Sequence, residues 1–93
     1  MITERDARSI VEDLFNRLQA SQRRPWELQE FEEGWLVRLM PRADEEDYRG
    51  APARVVERES GRVMRFPSAV PTRRILNDYP KVVRRGREEA RGR

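Results

Sequence analysis

The 93-residue sequence contains neither histidine nor cysteine. Nucleophilic catalysis needs a nucleophile beside a base that titrates near neutrality, and without these two residue types the usual activated pairs cannot be assembled. A serine–lysine pair would have to use Lys81, the only lysine in the chain. Paired carboxylates remain as acid–base candidates. They concentrate in "DEED", Asp44, Glu45, Glu46 and Asp47, which lacks the alternating oxygen ligands and distal bidentate glutamate of a calcium loop. The expectation is therefore no enzymatic activity, no metal and no cofactor.

The same carboxylates support two other readings. In one they are a solvated connection whose charge keeps a sheet edge soluble. In the other they present negative potential to a basic partner and speed encounter, with the adjacent Tyr48 as an aromatic anchor. Trp26, just after Pro25, divides between core packing and partner contact, whereas Trp35 lies in an alternating run and reads as core. Residues 1–80 hold fourteen Arg against fifteen Asp or Glu, and residues 81–93 hold six Lys or Arg against two Glu. The net charge of +3 thus arises from the tail, where Arg84, Arg85 and Arg87 are candidate nucleic-acid contacts. No aromatic residues interleave with them as they do in single-strand binders, and a plain solvated tail is the competing reading. Arginine's dominance among the basic residues fits GC-rich coding as well as guanidinium chemistry.

The elements that must position these groups follow from periodicity. Ala7, Ile10, Val11, Leu14, Phe15 and Leu18 recur at helical spacing and predict an amphipathic helix over 3–22. Thr3 is its N-cap, Asp6 completes a variant capping box, and Glu4 with Arg8 and Asp13 with Arg17 form pairs on the wet face. A first strand at 25–32 has apolar residues that change phase, which suits a bulge or an edge position. "WLVRLM", residues 35–40, makes a second strand with Trp35, Val37 and Leu39 on one face. Two further strands, 53–58 and 62–66, flank Glu59, Ser60 and Gly61 as a hairpin. Pro71 opens a short helix to Tyr79, and the remainder reads as a fraying tail.

The predicted fold is α+β: an N-terminal helix packed on a four-stranded antiparallel meander, a short C-terminal helix and a flexible basic tail. Residues 1–80 form a single domain and 81–93 a tail. No apolar run approaches the length of a membrane span, and the absence of cysteine suits a reducing compartment. A soluble, cytoplasmic protein is the expectation; no symmetric interface is readable.

Several stretches resemble the immunity protein 35 or YrhB-like family of small bacterial immunity proteins. "MITERDA" leads into the first helix, and "EGWLV", residues 33–37, brings a Gly-Trp into a hydrophobic strand. "GAPARVVERESGRV" is similar to the family's Gly-x-x-Pro stretch, strand, acidic position and Thr-Gly turn, with Glu57 and Ser60 where Asp and Thr are more usual. "PTRRILNDY" resembles the closing helix with its terminal tyrosine. The resemblance covers about residues 1–80. It implies a non-enzymatic module that binds and neutralises a cognate bacterial toxin, and it carries no interface with it; Trp26, Tyr48 and the 44–47 carboxylates are chosen as contacts from their residue types alone. Nucleic-acid binding through the tail and a small chaperone-like stability factor are the alternatives.

Overall fold

Thr3 and Asp6 exchange hydrogen bonds at the start of the first helix. The Thr3 amide donates to Asp6 Oδ2 at 3.1 Å and the Asp6 amide to Thr3 Oγ1 at 3.2 Å. This is the expected capping box, satisfying donors that the first helical turn leaves orphaned. A computed structural model describes residues 1–17, 26–39 and 53–91. In it α1 spans Glu4–Arg17 and buries Ala7, Val11 and Leu14. Leu18 and the expected continuation to residue 22 lie outside the described residues. Glu4 and Arg8 pair at 3.5 Å on the solvent side, a contact worth no more than about 0.5 kcal/mol.

Five strands form one antiparallel sheet in the order of the chain: β1 (Trp26–Phe31), β2 (Gly34–Leu39), β3 (Ala53–Glu57), β4 (Arg62–Phe66) and β5 (Arg87–Arg91). The meander is as expected, but the strand count of four is corrected to five. Arg87–Arg91, placed by the sequence in a fraying tail, pairs antiparallel with β4 across a bulge at Val63/Met64. Its sequence, REEAR, has no apolar alternation to announce a strand. Ion pairs and Ala90, packed beneath α1, hold it instead.

β1 pairs with β2 in unbroken register from Trp26↔Leu39 to Phe31↔Gly34 and forms one edge of the sheet. Its change of apolar phase has a simple cause. Trp26 and Leu28 pack toward α1, whereas Phe31 packs on the opposite side against Tyr79, with ring centroids 5.8 Å apart.

Both sheet faces are covered. Trp35, Val37, Val56 and Val63 meet α1, while Leu36, Val55, Met64 and Phe66 meet the second helix, α2 (Thr72–Val82), through Ile75, Tyr79 and Val82. This explains why adjacent Val55 and Val56 are both fully buried: successive strand residues point to opposite faces. Burial of each such side chain contributes about 1.5–3 kcal/mol. α2 runs past the expected end at Tyr79, with a kink at Asp78 (φ −131°, ψ 35°) that accommodates Pro80. A single 3-10 turn, Val83–Arg85, then leads into β5.

Candidate functional site

The densest polar cluster among the described residues is built on Glu57, the last residue of β3. Because Glu57 shares a face with Val55, its carboxylate points toward α2. Arg62, the first residue of β4, donates from Nε to Oε1 at 2.5 Å and from Nη2 to Oε2 at 3.1 Å. Tyr79, on α2, donates its hydroxyl to Oε2 at 2.7 Å, and Ser60 in the turn donates to Oε1 at 2.8 Å. Gly61 closes that turn with φ 74° and its amide on the Glu57 carbonyl, a left-handed position that glycine adopts without penalty.

Burial alone would push the Glu57 carboxyl up, but the hydrogen bonds from Arg62, Tyr79 and Ser60 outweigh it and hold the group below the ordinary carboxylate range. Burial, and then the hydrogen bond to Glu57, push the Tyr79 phenol well above its ordinary value. A carboxylate held ionised, with both oxygens already accepting two hydrogen bonds, is poorly suited to take or deliver a proton at neutral pH. The cluster is a lock joining the hairpin to α2. The residues that carry the family resemblance, Glu57, Ser60 and Tyr79, thus meet in space.

The raised Tyr79 pKa has a testable sign. Its contribution to stability is complete below the ordinary tyrosine pKa of 10.0 and is lost as the unfolded chain ionises above it. Urea unfolding of Tyr79→Phe is expected to show a loss of about 1.5–3 kcal/mol at pH 7, together with a shallower decline than wild type above pH 10. An identical alkaline slope in the two proteins would contradict this assignment.

Trp26 is half-buried in β1 and closes the α1 side of the core through an edge-to-face contact with Phe15, centroids 6.2 Å apart. Trp35 is core, 1% exposed, with the Arg58 guanidinium 4.5 Å from its ring centroid. Asp44, Glu45, Glu46, Asp47 and Tyr48 lie outside the described residues. Arg84 and Arg85 are exposed in the 3-10 turn, and Arg87 is exposed at the start of β5. These basic residues share one corner, remote in sequence from Trp26.

Three features of the sheet surface went unmarked in the sequence. Arg58 binds Glu30 at 2.8 Å and the Phe31 carbonyl at 3.1 Å, tying one hairpin to the other. Arg54 and Glu89 form a two-bond ion pair at 2.6 and 3.2 Å with side chains only 11% and 15% exposed. Arg65 is exposed in β4, facing Arg54 on one side and Arg87 on the other. Finding these requires the pairing register, which strand composition does not contain.

Between α1 and β5, Ile2, Asp6, Ile10, Asp13 and Ala90 border an open groove of ≈ 610 Å³. Among the described residues, no group of three His, Cys, Asp or Glu side chains could hold a metal ion. No described helix is long and apolar enough to cross a membrane.

The sequence model of the Immunity protein 35-like domain matches residues 5–87. The chain belongs to the immunity protein 35-like family. The match runs from the first turn of α1 through the start of β5, so it embraces both helices and the Glu57 lock. No curated protein and no solved structure matches this immunity protein 35-like chain.

Proposed function

We propose that this chain is a non-enzymatic immunity protein that binds a cognate bacterial toxin in the cytoplasm and neutralises it. Membership of the immunity protein 35-like family over residues 5–87 carries the reading. The engagement of both Glu57 oxygens agrees with it, because this part-buried carboxylate stabilises the scaffold. Trp26, Tyr48 and the carboxylates Asp44, Glu45, Glu46 and Asp47 are the contacts proposed from the sequence.

The test begins with affinity capture on the full-length chain in its own cells. Removing residues 81–93 would strip β5 from the sheet, so the intact chain is the appropriate bait. The captured protein is then expressed in a heterologous bacterium with and without the chain. Growth arrest by the partner alone, and recovered growth on co-expression, is the expected result. A stoichiometric partner that is harmless, or toxicity that the chain does not relieve, would defeat the immunity reading.

A further inference from the structure

One transverse row of the sheet changes character midway. In register order it runs Leu28, Val37, Arg54, Arg65, Arg87 across β1 to β5, all on the face that carries α1. α1 covers the apolar half. The other half places three guanidinium groups on neighbouring strands at directly facing positions, an arrangement that like-charge repulsion disfavours. Glu89 neutralises the first, Arg54. Arg65 and Arg87 are exposed and have no ion pair or side-chain hydrogen bond among the described residues.

The carboxylates of β5 cannot relieve them. Glu89 is committed to Arg54, and Glu88 lies with Arg62 and Arg91. The 3-10 turn adds exposed Arg84 and Arg85 directly before Gly86, whose backbone packs against the Arg65 carbonyl and the Phe66 ring. Four uncompensated arginines therefore gather at one corner, two of them held at adjacent-strand spacing of about 5 Å.

We infer that this corner, centred on Arg65 and Arg87, docks a carboxylate-rich surface of a protein partner. Paired strands preset the separation of the two side chains, and each guanidinium presents a planar fork suited to a carboxylate. The corner is compact, and the committed Glu88 and Glu89 follow Arg87 in the same strand. That favours a local cluster of acidic side chains over the continuous phosphate track of a nucleic acid, which calls for an extended basic stripe. Phe15, whose ring carries the Arg54 guanidinium 5.4 Å from its centroid, is engaged with Trp26, and Phe66 beside Gly86 is fully buried, so neither ring is offered as a stacking platform.

The inference rests on the protein-binding reading, and the experiment separates the two. Full-length wild type, Arg65→Glu/Arg87→Glu and the control Arg73→Glu/Arg74→Glu on α2 are titrated with poly-glutamate and with single-stranded DNA of matched charge. Urea unfolding confirms that each variant is folded. Wild type is expected to bind poly-glutamate with salt-sensitive affinity, reduced about tenfold by the sheet reversal and little by the control. Equal losses in both variants, or none in the sheet variant, would overturn the proposal. Tighter binding of DNA, lost on the same sheet reversal, would overturn it in favour of nucleic acid. If the toxin rescue fails while the poly-glutamate result holds, the immunity reading falls and the docking surface stands.

Discussion

Gly34→Ala is expected to be the most damaging single-atom change to the scaffold, lowering stability by more than about 4 kcal/mol. Gly34 opens β2 at φ 151°, a backbone region that residues with a Cβ rarely enter. A Cβ there would lie 2.1 Å from the Val56 carbonyl oxygen and 2.9 Å from the Arg58 amide nitrogen. Both obstacles are backbone, so no side-chain rotation relieves the clash. Separation of β2 from β3 would disturb the Gly34↔Glu57 pairing and the Arg58 amide bond to the Glu33 carbonyl at 2.9 Å. Since small domains have only about 5–15 kcal/mol of net stability, the loss should move the denaturation midpoint far toward lower urea. Circular dichroism and urea titration give the readout, with Gly61→Ala as the comparison. That second glycine has a left-handed φ of 74°, and the ordinary left-handed penalty of about 1–2 kcal/mol is expected. Equal effects at the two positions would contradict the steric account.

Glu57→Ala is expected to cost about 2–3 kcal/mol at pH 7 and to flatten the acid limb of the stability curve. The alanine removes the shared acceptor and leaves the Arg62 guanidinium and the Tyr79 hydroxyl without it. Arg62 is 32% exposed, so water recovers part of the loss and the cost stays below that of a fully enclosed ion pair. The sign of the pH effect follows from the depressed carboxyl pKa. Stabilisation by Glu57 is complete above the ordinary value of 4.5 and disappears as pH falls through the lower folded-state value. Wild type should therefore lose stability below pH 4.5 more steeply than Glu57→Ala. Denaturant midpoints measured from pH 7 down to pH 3 test this, and parallel curves would remove Glu57 from the acid response.

The differing visibility of these features has physical causes. α1 announced itself through an apolar stripe and the Thr3–Asp6 box, and the β3–β4 hairpin through alternation around Gly61, because those signals are local. The alternating run from Trp35 marked that residue as core, whereas the constraint on Gly34 appears only once β3 is paired beside it. β5 stayed hidden because an edge strand held by charges has no apolar period to detect. The Glu57 lock joins positions 57, 60, 62 and 79, and only folding brings α2 over the hairpin. The arginine corner depended on two successive strand registers, one of them shifted by a bulge. The expected tail residues Arg84, Arg85 and Arg87 gained Arg65 as a neighbour only through that pairing.

The sheet also acts as a partition. The Glu57 lock lies on the face toward α2, the Arg65–Arg87 row lies on the face toward α1, and the two sets share no side-chain partner. Substitutions at sites without shared partners tend to combine additively. A lineage could thus alter the charge, reach or shape of the exposed corner while inheriting an undisturbed fastening on the other side. Such an arrangement favours evolvability: recognition can diverge without requiring the chain to discover its fold again.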